Sequence, residues 1–131
     1  MVIDTSAVLA VSLAEEDAER YARAIESAEE CRMSAASFLE AAVVIDNRGD
    51  AVASREFDAL LRRAGIHIEA VTFEQAQIAR QAYRDFGRGR HPAGLNFGDC
   101  LAYALAKVLD EPLLFKGDDF GHTDIRPVLG E

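Results

Sequence analysis

Asn96-Phe97-Gly98-Asp99-Cys100-Leu101-Ala102-Tyr103-Ala104-Leu105-Ala106-Lys107-Val108-Leu109 predicts a helix that opens on an N-x-x-D capping pair. Pro112 breaks the chain behind it, and Leu113 to Phe115 predicts a short buried strand. The same alternation extends toward the N-terminus. Gly87 to Leu95 is loop-like. Thr72-Phe-Glu-Gln75 is a capping box that opens a helix to about Phe86, with Ala79, Ala82, Tyr83 and Phe86 at helical spacing. Ile66 to Val71 alternates as a strand. Asp50 to Ala64 is amphipathic, with Val52, Phe57, Leu60 and Leu61 on one face and Gly65 at its end.

The first fifty residues follow the same rule. Met1 to Asp4 reads as a short buried strand ending in an acid, followed by helical segments over Ser6 to Ala14 and Glu16 to Ala28. Arg32 to Ser34 is a brief strand. Ser37-Phe-Leu-Glu40 has the S-x-x-E form of a capping box and leads into a helix to Asn47, with Gly49 as its stop. Ile125 to Leu129 is a last short strand. Strands alternating with helices predict an α/β fold, with a mostly parallel sheet and helices on both faces. The 131 residues make one domain, with no internal repeat.

Composition narrows the function. There are 14 basic and 23 acidic residues, so the net charge is 14 − 23 = −9. A nucleic acid cannot be held by the overall field of such a chain, only by local cations or bound metal. Cys31 and Cys100 form no C-x-x-C and give no disulfide framework, so both are expected to be reduced and buried. No apolar run approaches the ~20 residues needed to span a bilayer. Asp4 follows Met-Val-Ile at once, with no basic-then-apolar leader, and a cytoplasmic protein without membrane contact is expected.

The acids fall at element ends. Asp4 closes the first strand, and Asp118-Asp119 lies just beyond the strand Leu113 to Phe115. Glu40 and Asp99 lie in the first turns of helices. In a parallel α/β sheet, strand ends and helix starts share one edge, where ligands bind. Four distant segments can thus bring carboxylates into one crevice. Two carboxylates ~4 Å apart repel by about 4 kcal/mol at an effective dielectric near 20. A cluster must protonate, stay solvated or bind a cation, and hard oxygen ligands suit Mg²⁺ or Mn²⁺. The chemistry that follows is phosphodiester hydrolysis. Each acid also has a plainer explanation. Glu40 and Asp99 fit as capping-box acids behind Ser37 and Asn96, and Asp118 and Asp119 as turn residues after Gly117.

Four segments in order resemble the PIN domain, specifically the VapC-type toxins of toxin–antitoxin pairs. They are Met-Val-Ile-Asp4-Thr5-Ser6-Ala7, Ser34-Ala-Ala-Ser37-Phe-Leu-Glu40-Ala, Leu95-Asn96-Phe97-Gly98-Asp99-Cys100-Leu101-Ala102-Tyr103-Ala104, and Leu113-Leu-Phe-Lys116-Gly117-Asp118-Asp119-Phe120. The resemblance implies a PIN-like three-layer domain and a Mg²⁺- or Mn²⁺-dependent endoribonuclease. Position by position, Asp4, Glu40 and Asp99 match the metal-site acids. Asp119, followed by Phe120, is favoured as the fourth, with Asp118 as the alternative. Ser6 and Asn96 would orient the carboxylates or a metal-bound water, with helix capping as their plainer role. The family also implies a VapB-type antitoxin that wraps the toxin, and a homodimer.

RNA would be gripped locally. Arg88, Arg90 and Lys116 are the expected phosphate contacts, since Gly-flanked loops bear function. Arg80 and Arg84 share one helical face, with pairing to neighbouring acids as the competing reading. His91 is expected at the surface rather than as a general base. A receiver-type signalling domain shares the length, acidity and pattern, but needs an acid where Val71-Thr72 stands. A phosphatase of the Asp-x-Asp type needs an acid where Ser6 stands. A PIN-like domain that only binds is the remaining alternative.

Overall fold

The computed structural model describes residues 1–130. Its elements are β1 (Val2–Ile3), α1 (Thr5–Ser12), α2 (Ala18–Ser27), β2 (Arg32–Ser34), α3 (Ala35–Asn47), α4 (Ala51–Arg63), β3 (His67–Glu69), α5 (Phe73–Phe86), α6 (Phe97–Leu109) and β4 (Leu113–Leu114). A 3₁₀ turn at Phe120–His122 follows. The four strands form one parallel sheet in the order β3-β2-β1-β4.

The short strands work because they are buried on both faces. Successive residues of a strand point to opposite sides. Val2 and Leu113 pack into a core with α5 and α6, whereas Ile3, Met33 and Leu114 pack into a second core with α1 to α4. These are the three layers expected. No helix among the described residues is long and apolar enough to cross a membrane.

Strand order positions the site. The chain steps from β1 outward to β2 and β3, then returns to place β4 on the other side of β1. That reversal leaves a crevice beyond the carboxyl ends of β1 and β4. Asp4 follows β1 directly and donates its backbone N–H to Leu114 O at 2.9 Å.

Several local expectations hold. Thr72 caps α5 by accepting from Gln75 N at 3.1 Å, although among the described residues the reciprocal half of the box is absent, Gln75 Oε1 being buried without a partner. Gly49 and Gly65 follow α3 and α4 with φ of +70° and +59°, the left-handed geometry that ends a helix. Both cysteines are free and buried, and burial pushes the Cys100 thiol up to about 11.

Others are corrected. α3 starts at Ala35 under Ser34, whose Oγ accepts from Ala36 N at 3.2 Å. Ser37 is therefore inside the helix, not its cap, and Glu40 is not a capping-box acid. Val52 is exposed, because Ala53, Phe57 and Leu60 set the inward face of α4. Ile125 to Leu129 forms only a bridge at Pro127 beside Leu113, where proline brings no N–H to the ladder.

Candidate active site

Asp4 lies at the bottom of the crevice, 5% exposed. It is also the N-cap of α1. Its Oδ2 accepts from Ser6 N at 3.0 Å and from Ser6 Oγ at 2.6 Å. Ser6 Oγ in turn accepts from Lys116 N at 2.9 Å. The chain from the β4 loop through Ser6 thus fixes one oxygen of Asp4 and leaves Oδ1 open. Burial pushes the Asp4 carboxyl up to about 6; Ser6 opposes this, and the charges of Asp99 and Glu40 add to it.

Asp99 arrives on the first turn of α6. The expected capping box is formed: Asp99 N donates to Asn96 Oδ1 at 2.8 Å, and Asn96 N donates to Asp99 Oδ2 at 3.0 Å. Capping and a role in the site do not compete, because the cap uses only one carboxylate oxygen. Burial holds the Asp99 carboxyl above its ordinary range. The Asn96 N–H and Arg88 pull it down, and Asp119 and Glu40 push it up.

Glu40 reaches the site from the second turn of α3. Thr5 ties this helix to the end of β1, its Oγ1 donating to Ser37 O at 3.0 Å. The Glu40 carboxylate lies against Gly98. A Cβ on Gly98 would stand 2.6 and 2.7 Å from its two oxygens. Glycine is unfavourable in a helix by about 1 kcal/mol, and here close approach explains it. The role of Gly98 escapes sequence reading, because the cost is local and visible but the neighbour it makes room for is not.

Asp119 and Asp118 part company. Asp119 is among the charges that act on Asp99. Asp118 instead lines a neighbouring cavity with Arg20, Phe115 and His122. Lys116, expected on the RNA side, turns away as well: its Nζ lies 2.7 Å from Glu15 and 2.9 Å from Asp17. It clamps the β4 loop to the turn between α1 and α2. His91 is structural, its Nδ1 accepting from Ala93 N at 3.1 Å and its ring edge-on to Phe86. Arg88 is anchored through its backbone N–H to Leu95 O at 3.0 Å.

The acids gathered here are all hard oxygen donors, the type that a hydrated divalent cation takes. Among the described residues, Asp4, Glu40, Asp99 and Asp119 have no Lys or Arg ion pair. Of the four only Asp4 is buried, and a buried carboxylate with no ion-pair partner favours a nearby cation. No three His, Cys, Asp or Glu side chains among the described residues close directly around one point. Such spacing leaves room only for a cation held by one or two carboxylates and otherwise by water, as Mg²⁺ commonly is.

Comparisons with known proteins identify the family. The PIN domain family model matches residues 1–126. Ribonuclease VapC28 of Mycobacterium tuberculosis is 54% identical over 130 residues, 98% of either chain. Ribonuclease VapC30 of the same organism is 53% identical over 128 residues, again 98% of each. Among solved structures, M. tuberculosis VapC20, described as a sarcin–ricin loop cleaving toxin, superposes with a TM-score of 0.70 at 20% identity, covering 96% of this chain and 98% of its own. A toxin–antitoxin complex from Klebsiella pneumoniae gives 0.69 at 17% identity, with 94% and 92% covered. The receiver and phosphatase readings find no support here. The chain belongs to the PIN-domain family, within its VapC-type toxin ribonucleases.

Proposed function

We propose that this ribonuclease is an endonuclease that uses Mg²⁺ or Mn²⁺, held by Asp4, Glu40, Asp99 and Asp119, to hydrolyse RNA phosphodiester bonds. The observation that carries the reading is the convergence of Asp4, Glu40 and Asp99 at the sheet's switch point, where each acid feels the charge of another and none is neutralised by an ion pair among the described residues. A divalent cation held by these acids would supply the positive charge that phosphodiester hydrolysis needs at the phosphate and at the attacking water. Ser6 and Asn96 each fix one oxygen of an acid, so Asp4 Oδ1 and Asp99 Oδ1 are presented in a set direction. Arg88, beside Asp99, meets a phosphate that enters the site, and Arg90 lies in the same loop. VapC toxins pair with antitoxins. The partner here is a VapB-type antitoxin with a basic side chain for the acidic crevice, the toxin is a homodimer, and both act in the cytoplasm.

Purified chain, free of antitoxin, should cut single-stranded and folded RNA with Mg²⁺ or Mn²⁺ and stop in EDTA. Restoring the metal should restore cleavage. Cutting that continues unchanged in EDTA would overturn the metal mechanism.

Gly98→Ala separates position from fold. The new methyl displaces the Glu40 carboxylate, which can swing because it ends a flexible side chain. Alanine also favours the helix by up to ~1 kcal/mol. The melting temperature should hold or rise, while metal-dependent cleavage falls by roughly 10- to 100-fold, the range for lost ligand support. Glu40→Asp in the same chain shortens the side chain and should recover part of the loss. Cleavage by Gly98→Ala at the parental rate would show that the position of Glu40 does not matter.

A further inference from the structure

The groove between α5 and α6 has no part in holding the metal. Ala79 and Leu101 lie buried along it, and Tyr83 and Phe97 are exposed at 40% and 80%. Arg80, Arg84 and Arg90 are the charged residues that line it. We propose that this groove is a stacking subsite for single-stranded RNA beside the scissile phosphate. Phe97 and Tyr83 stack bases there, and the three arginines pair with the backbone. The proposal rests on the ribonuclease reading and adds where the strand lies.

Position is the first argument. Phe97 opens α6, the helix whose first turn carries Asp99, so the groove begins at the same helix end as the carboxylates, on an adjoining face, within reach of a strand that runs on from the site. An aromatic ring so exposed at a helix start contributes little to the core. Chemistry is the second. Arg90 already lies over the Tyr83 ring, 5.8 Å from its centre, the mixture of cation and π-face that holds bases irrespective of sequence. Arg80 and Arg84, one turn apart, make no ion pair among the described residues. Charge is the third argument. The protein carries −9 overall, yet this groove is lined by positive charge alone. A polyanion complements that. A second copy does not, since a two-fold interface centred on the groove would set the arginines of one protomer against those of the other. The open groove has a volume of about 680 Å³, within the roughly 300–1,000 Å³ typical of small-ligand sites.

The test measures binding apart from cleavage. Fluorescein-labelled 12-nucleotide oligoadenylate and oligouridylate are titrated in EDTA, with anisotropy as the readout, over a range of salt. Phe97→Ala should weaken binding of both by about 10-fold or more, the loss of one base–aromatic stack. Phe97→Trp should preserve it and Phe97→Leu should not, because stacking needs a π-face. Arg80→Gln with Arg84→Gln should flatten the salt dependence by about 1.4 in log–log slope, ~0.7 for each lost phosphate contact. Sedimentation of the same proteins runs in parallel. Parent that binds and cuts RNA, with every groove variant binding equally, overturns the subsite and leaves the ribonuclease reading intact. Phe97 variants that change oligomeric state along with affinity assign the groove to a second copy and overturn the subsite as well. Phe97-dependent binding by a parent that cuts nothing supports the subsite and removes the catalytic reading. A parent that neither binds nor cuts RNA overturns both.

Discussion

Asp99→Asn is expected to lose metal-dependent RNA cleavage by roughly 100-fold or more, and to melt within a few degrees of the parent. Loss of a group that merely supports a metal ligand costs about 10- to 100-fold, so loss of a ligand should cost at least the upper figure. The fold should survive for a specific reason. Asp99 Oδ2 receives the Asn96 N–H at 3.0 Å, and an asparagine carbonyl oxygen can receive it too. The reciprocal bond, from Asp99 N to Asn96 Oδ1 at 2.8 Å, does not involve the side chain at 99. The capping box therefore persists while the charge disappears. Removing that charge also relieves repulsion from Asp119 and Glu40. Single-turnover cleavage and a thermal melt on the same preparation decide the matter. Cleavage within about 3-fold of the parent, with the melt unchanged, would reduce Asp99 to a helix cap and remove it from the metal site.

Asp4 and Asp99 are legible in the sequence because each is tied to a local signal. One closes a buried strand and the other sits in a capping motif, and parallel topology places both signals on one edge. For Glu40 it is the plainer capping-box reading that the fold removes. Ser34 and Ser37 are both plausible caps, and the chain uses Ser34 because β2 runs straight into α3 there. That choice depends on sheet register, which a four-residue motif does not contain. Lys116 shows the same limit over a longer distance. A lysine before an acid pair reads as an RNA contact, but its partners Glu15 and Asp17 are 101 and 99 residues away in sequence. Adjacent Asp118 and Asp119 are indistinguishable by spacing. In the fold Asp118 lines the cavity with Arg20, whereas the charge of Asp119 is felt at Asp99.

Asp4→Asn should abolish cleavage and yet make the metal-free protein more stable at neutral pH. The buried carboxyl titrates at about 6 in the folded chain against an ordinary value of 3.8. A raised carboxyl favours the fold only while it is protonated. Its contribution is fully present below pH 3.8 and is lost as pH rises through about 6. At 1.36 kcal/mol per pH unit, the loss amounts to about 3 kcal/mol once the group is ionised. An asparagine has no charge to bury, and its carbonyl oxygen can still accept from Ser6. Near pH 4 the parent and Asp4→Asn should therefore melt together. At pH 7.5 in EDTA the variant should melt higher by roughly 5–10 °C, taking about 4 °C per kcal/mol for a domain of this size and discounting the gain for imperfect accommodation. Added Mg²⁺ should close the gap by raising the parent alone, since saturation at 100 times Kd stabilises by about 2.7 kcal/mol. A variant less stable than the parent at pH 7.5 without metal would mean that the Ser6 hydrogen bonds outweigh burial and repulsion. A parent whose melt ignores Mg²⁺ while Asp4→Asn still lies above it would mean that the strain is real but that the cation does not relieve it at Asp4. The expected pattern, in which the metal restores what the carboxylate costs, ties the energetic penalty of this crevice to its chemistry.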